Sequence, residues 1–353
     1  MKIPKPIITI LIIAVIVAAI LIGVSVVLKV NLLSEIRSTL TTFFPPASAP
    51  VDLSKQKPLE VNVKEGAHET LQPRISLTVT TNQDIDILNP DKFKLTFVKD
   101  IDGTKYYALE ILNIGTGTAA IPVTFKSKTG ENLTQIINVL RSPFSIPLGL
   151  KDIVDWENST YTVDGDNFLV PINKEHKLVS DYEPTDLVKL FDDKNLLVQT
   201  DKLMLRAEPA EALSLMIKKL MDETGKPLTI ASAYRSYNNQ LQQYVSWVKT
   251  YGQEDADKVS ARPGFSEHQL GTAIDFMSGD SGYDFVNEFD TTIAGQWLIA
   301  NSYKYGYVQS YPDGKDAVTG YSHEAWHYRY IGIEAAKKWK DSGLTLKEFL
   351  EKQ

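Results

Sequence analysis

Five histidines and no cysteine bound the chemistry open to this chain of 353 residues. Without a thiol there is no disulfide, no thiolate metal site and no cysteine nucleophile. Any zinc must be held by imidazole and carboxylate. Ser266-Glu-His268-Gln-Leu-Gly271-Thr-Ala-Ile-Asp275 sets a histidine and an aspartate seven residues apart, with a glycine between them and an apolar run leading into Asp275. That layout predicts a loop carrying His268 that feeds a strand carrying Asp275, so that the pair can converge on one ion. Later comes His323-Glu324-Ala-Trp326-His327-Tyr-Arg-Tyr, aromatic-rich and strand-like. A nitrogen from this stretch, on His323 or His327, completes a set of two imidazoles and one carboxylate. Three protein ligands leave a fourth position for water, the arrangement of catalytic zinc. Such an ion lowers the pKa of its water to about 7, and a nearby carboxylate must take the proton. Glu324 is the candidate. Spacing alone is a weak signal, because unrelated His and Asp often fall this close. His323 reads instead as a turn histidine facing solvent.

These groups need elements to position them. Glu208 to Met221 has apolar residues at helical spacing and ends at Gly225 and Pro227, Leu228 to Ala233 reads as a short strand, and Asn238 to Tyr251 returns to helix. Trp297 to Tyr303 and Ile333 to Lys340 are further helices. The first half has another texture. Leu59-Glu-Val-Asn-Val, Ile75-Ser-Leu-Thr-Val-Thr, Phe93-Lys-Leu-Thr-Phe-Val, Tyr106-Tyr-Ala-Leu-Glu-Ile, Ala120-Ile-Pro-Val-Thr-Phe and Gln135-Ile-Ile-Asn-Val-Leu are short β-rich runs separated by turns such as Asp102-Gly103 and Thr129-Gly130. That spacing predicts a small β-sandwich over 59–141 without a catalytic cluster. A linker over 142–167 then leads to an α+β domain over 168–353, an antiparallel sheet with helices.

The N-terminus suggests an address. Residues 7–28 are uncharged and apolar, long enough to cross a hydrocarbon core of about 30 Å. Lys2 and Lys5 precede them, which predicts a short cytoplasmic tip over 1–6, an uncleaved single-pass transmembrane helix in the cell membrane, and everything after it outside. A signal peptide would have a shorter apolar core and a nearer cleavage site than Ala47-Ser48-Ala49. Residues 29–58, with Phe-Phe-Pro-Pro-Ala-Ser-Ala-Pro, read as a stalk. The formal net charge of −7 excludes the basic footprint of a nucleic-acid binder.

Residues from about 168 to 353 resemble the VanY-type D-alanyl-D-alanine carboxypeptidases and their L,D-carboxypeptidase relatives, in the wider group with lysostaphin-type peptidases and the hedgehog signalling domain. The resemblance is carried by Ala233-Tyr-Arg-Ser236 with Gln240, by Ser260-Ala-Arg-Pro-Gly-Phe-Ser-Glu-His-Gln-Leu-Gly-Thr-Ala-Ile-Asp275, and by Glu324-Ala-Trp-His-Tyr-Arg329. Pro171-Ile-Asn-Lys-Glu-His-Lys-Leu, ahead of Asp181-Tyr-Glu-Pro, matches the usual start of the domain. It implies a hedgehog/DD-peptidase-like fold and one Zn2+ per chain on His268, Asp275 and His327, with Glu324 as general base. The substrate implied is the peptidoglycan stem peptide, shortened by its terminal D-Ala. Arg235 matches the motif arginine, placed to steady a developing oxyanion. Gln240 and Ser266 match polar pocket positions. Arg262 is a candidate anchor for a C-terminal carboxylate, and Trp326 a candidate pocket wall. Ala325 stands where many relatives have Pro, and Ser310 where relatives often have a basic residue, which opens the question of substrate preference.

Other readings carry less. Ser246-Trp-Val-Lys249 and Lys128-Thr-Gly130 fit two motifs of serine penicillin-binding enzymes, but in inverted order, in different predicted domains and without the third motif. A zinc endopeptidase acting on cross-bridges uses the same residues. A silent wall-binding module would be expected to lose at least one of them.

Overall fold

The computed structural model describes residues 57–144, 156 and 158–353, and Leu59–Gln353 form one compact unit. The expected anchor over 7–28 lies outside the described residues. Among the described residues no helix is long and apolar enough to cross a membrane.

Eight strands form the N-terminal part of this unit: β1 (Val61–Val63), β2 (Ala67–Thr70), β3 (Ile75–Thr81), β4 (Ile85–Ile87), β5 (Phe93–Ile101), β6 (Thr104–Ile111), β7 (Gly117–Ser127) and β8 (Asn132–Arg141). They make two four-stranded sheets, ordered β1-β3-β6-β5 and β2-β8-β7-β4. Alternation explains the sandwich, because successive side chains point to opposite faces of a strand. Leu77, Val79, Leu109, Val123, Phe125 and Val139 are fully buried in its core. Five of the six apolar runs read from the sequence fall within one of these strands, and the first, from Leu59, overlaps β1 over Val61–Val63. Ala67–Thr70 and Ile85–Ile87 went unread: they are three or four residues long and carry His68, Glu69 or Asp86.

Polar contacts fasten the sandwich to the C-terminal part of the unit. Ser76 and Ser180 each donate a backbone N–H to the other's hydroxyl, both at 2.8 Å, and His68 meets Asp181 at 3.3 Å. Within the stretch expected as a linker, β9 (Thr160–Thr162) pairs in parallel with β10 (His176–Leu178). A further ribbon joins β11 (Leu187–Lys189) to β13 (Met204–Arg206).

The C-terminal sheet has five strands: β12 (Leu197–Val198), β14 (Leu228–Ser232), β15 (Ala273–Ser278), β16 (Tyr307–Gln309) and β17 (His327–Tyr330), in the order β12-β14-β15-β17-β16. All its pairings are antiparallel except β12 with β14. Every residue of β15 and of β17 is buried, including the polar Asp275, His327 and Arg329.

Helix Ala207–Thr224 packs its buried stripe, Leu213, Met216, Ile217 and Leu220, into the same core as Ile230, Ile274 and Phe276. It stops at Gly225, which adopts the left-handed conformation (φ +64°). Helix Tyr237–Tyr251 starts at Ser236, whose side chain accepts from the Asn239 N–H. The helix expected over 297–303 begins earlier, at Ile293, because Thr292 caps it by accepting from Gly295 N–H. It ends at Asn301 and gives way to a 3-10 turn, Ser302–Tyr305.

Candidate metal centre

The centre is assembled at the middle of the five-stranded sheet. Asp275 sits on β15 directly opposite His327 on β17, and opposite Ser232 of β14 on its other side. The β14–β15 register slips between Ile230 and Ser232. A bulge re-aims the chain where it leaves the sheet, and it brings the Ala233 carbonyl and Arg235 to the same place. His268 enters from a 3-10 turn, Glu267–Leu270, that closes on Gly271. Gly271 has φ +67°, and a Cβ there would come within 3.0 Å of Arg206 and 3.1 Å of Leu187 and Pro184. Only glycine fits this corner without strain.

His268, Asp275 and His327 are all buried, and one ligand atom from each lies within 4.8 Å of the other two. His268 Nε2 is 3.1 Å from Asp275 Oδ2, and His327 Nδ1 is 2.9 Å from Asp275 Oδ1. Two ligands at about 2.0–2.2 Å from a tetrahedral zinc stand roughly 3.3 Å apart, so the donor set fits such an ion with small adjustments. The remote ring atoms are also engaged. His268 Nδ1 lies 2.7 Å from the Ala233 carbonyl, and His327 Nε2 lies 3.0 Å from Glu267 Oε2. Each contact suits a ring N–H pointing away from the cluster, leaving the other nitrogen's lone pair aimed at it.

At His268 the electrostatics agree with a neutral ligand; at His327 they favour the protonated ring. Burial holds His268 below the usual imidazole pKa, so it is neutral at pH 7. Burial opposes ionisation of Asp275, yet the two histidines outweigh it and keep the carboxylate charged. His327 is pushed down by burial, but its bonds to Asp275 and Glu267 raise it to about 10, so a cation at Nδ1 would have to displace a proton there.

Glu324 lies in the loop before β17, its carboxylate 3.7 Å from His327 Nδ1 and 17 % exposed. Burial pushes its carboxyl up to about 7, against the pull of His327. Arg235 faces the same space. Its Nη1 donates to Gln240 Oε1 at 2.8 Å, its Nη2 donates to Ser232 Oγ at 2.7 Å, and Nη2 is 3.9 Å from Asp275. Gln240 in turn donates to the Ala261 carbonyl at 2.7 Å, so it acts here as a holder of Arg235. Ser266 is buried at the head of the His268 turn. Trp326 packs against Phe285, ring centroids 5.4 Å apart.

Two side chains lie elsewhere than expected. Arg262 is turned to Asp257, with Nε donating at 3.0 Å and Nη2 at 2.8 Å, and it stacks on Trp156 at 3.7 Å. A guanidinium so committed leaves little to offer a substrate carboxylate. His323 does not face solvent: its side chain is 12 % exposed and its Nε2 meets Asp290 at 2.9 Å. Ser310 is buried, its hydroxyl donating to Glu267 at 2.6 Å.

Sequence reasoning missed Glu267 and Tyr311. Glu267 is almost fully buried and binds His327, Arg329 and Ser310. Tyr311 lays its ring over His327 at 5.0 Å. Position next to His268 was the available signal for Glu267, but a lone glutamate usually means a solvated surface.

Comparison with known proteins bears on the family of the part of the chain that carries this site. The family model of the VanY D-alanyl-D-alanine carboxypeptidases matches residues 202–333. YodJ of Bacillus subtilis, a candidate carboxypeptidase, is 38% identical over 187 residues, covering 53% of this chain and 68% of YodJ. VanXYC of Enterococcus gallinarum, a bifunctional D-Ala-D-Ala dipeptidase and carboxypeptidase, is 30% identical over 193 residues, covering 52% of this chain and 93% of that protein. Among solved structures, the LD-carboxypeptidase LdcB superposes with a TM-score of 0.51 and 35% identity, over 57% of this chain and 93% of LdcB.

Proposed function

This chain belongs to the VanY-type family of D-alanyl-D-alanine and L,D-carboxypeptidases, and from that we propose that it removes the terminal D-Ala of peptidoglycan stem peptides with zinc held by His268, Asp275 and His327. The single observation that carries the reading is the buried convergence of two imidazoles and one carboxylate beside Glu324 and Arg235. When bound, the ion would supply Lewis acidity, acidifying water and polarising a carbonyl.

The chain's own groups account for the rest. Glu324 accepts a proton from the attacking water and returns it to the departing amino group. A carboxyl raised toward neutrality by burial suits both halves of that exchange. Arg235, held by Ser232 and Gln240, offers guanidinium N–H groups to the oxygen that becomes negative as the carbonyl is attacked. Because Ser232 and Gln240 fix its position beforehand, little reorganisation is needed during the reaction. Trp326 and Phe285 form an apolar wall beside the loop that carries Glu324. Residues 7–28, by their uncharged apolar run behind Lys2 and Lys5, would hold this site on the outer face of the membrane, where peptidoglycan lies.

Incubation of the full chain with defined penta- and tetrapeptide stems, with and without chelator, tests the proposal. Mass analysis is expected to show single D-Ala release that chelator abolishes. Release unchanged by chelator would refute zinc dependence, and release of a dipeptide would refute the carboxypeptidase reading.

A further inference from the structure

Glu267 is the residue whose position the proposed reaction leaves unexplained. A carboxylate is rarely this buried unless it is paired, and this one has partners on both oxygens. Oε2 accepts from His327 Nε2 at 3.0 Å and from Ser310 Oγ at 2.6 Å. Oε1 accepts from Arg329 Nη1 at 3.0 Å.

The arrangement arises from two local periodicities. On β17, residues two apart share a face, so His327 and Arg329 present their side chains to one neighbour. On the facing turn, consecutive residues diverge, so His268 points into the cluster while Glu267 points behind it. Arg329 is itself tied down, its Nη2 donating to the Phe168 carbonyl at 3.0 Å and the Val170 carbonyl at 2.6 Å.

We propose that Glu267 is the positioning residue of the metal centre. It takes the Nε2–H of His327, sets Nδ1 as the ligating atom, and joins the turn that carries His268 to the strand that carries His327. This deepens the proposed function and rests on its assignment of the three ligands. An anionic acceptor behind an imidazole fixes its tautomer and ring angle and raises the basicity of the other nitrogen. Glu324 cannot substitute, since it lies on the Nδ1 side of the ring. Ser310 and Arg329 complete the device by holding the carboxylate that holds the histidine.

Zinc affinity of the full chain, measured by competition with a chromogenic chelator, tests this. Glu267→Gln is expected to raise the zinc dissociation constant by about 10- to 100-fold. Ser310→Ala, which keeps both buried charges, is expected to raise it less, in the same direction. Thermal unfolding of the metal-free proteins separates positioning from scaffolding: a scaffold alone would lower the unfolding temperature and leave zinc affinity unchanged. A folded Glu267→Gln protein with wild-type affinity overturns the proposal. Should that variant not fold, wild-type affinity in Ser310→Ala overturns it. Wild-type protein that binds no zinc would instead remove the underlying reading, before any variant is compared.

Discussion

The carboxylate of Glu324 lies 3.7 Å from His327 Nδ1, on the side of the ring that also faces Asp275. The ligand atom of His327 and the base therefore face each other, on side chains three positions apart in the chain. A water molecule held between a cation on Nδ1 and this carboxylate would have its acceptor already in place.

Glu324→Gln is accordingly expected to retain zinc at one per chain and to lose D-Ala release by about 10²- to 10⁴-fold, the range for a positioned acid–base group. Metal content and single-turnover release measured on the same sample check both halves of this.

Activity should fall on the acid side as Glu324 becomes protonated, because the base must start ionised. Burial, opposed by His327 and Arg235 and aided by Asp275 and Glu267, puts that carboxyl at about 7. A bound cation favours the ionised form and can only move the limb lower. A kcat/KM profile with its acid limb at or below pH 7 is expected; a limb above that value would assign the titration to another group.

Arg235→Ala should lower kcat more than it raises KM, by about 10²- to 10³-fold, as loss of an oxyanion donor does. Gln240→Ala should act in the same direction and less, since it removes only the brace at 2.8 Å. Steady-state kinetics on stem peptides separate the two constants.

Arg262 is assigned by its contacts to structure. Arg262→Ala leaves Asp257 without its guanidinium partner in a largely buried place, with side chains only 10% and 14% exposed. Destabilisation of about 3–5 kcal/mol is expected, the range for breaking a buried pair, with KM little changed in the protein that remains folded. Denaturant unfolding and kinetics check it. A raised KM at unchanged stability would return Arg262 to the substrate.

Much of the site was legible because its ligands lie in short motifs. His268, Gly271 and Asp275 belong to one run, and their loop-then-strand layout emerged as a 3-10 turn leading into β15. The choice between His323 and His327 was not open to spacing; it depends on which residue is paired across from Asp275, and β17 begins at His327. Glu267 gains its meaning only when β17 lies over the turn, a contact between residues 60 apart in sequence. Arg262 is placed by a local contact instead. Its partner Asp257 is five residues away, and a local pair outcompetes a ligand seen only in a motif. In the sandwich, runs of alternating apolar residues announced six strands, while β2 and β4 pair through backbone geometry that composition does not advertise.

X-ray absorption at the zinc edge on the purified chain measures the central claim most directly. The account predicts one zinc per chain, nitrogen and oxygen neighbours at about 2.0–2.2 Å with two imidazoles among them, and loss of the signal in Asp275→Ala. A chain that takes up no zinc, or an Asp275→Ala protein that keeps the same coordination shell, would contradict it.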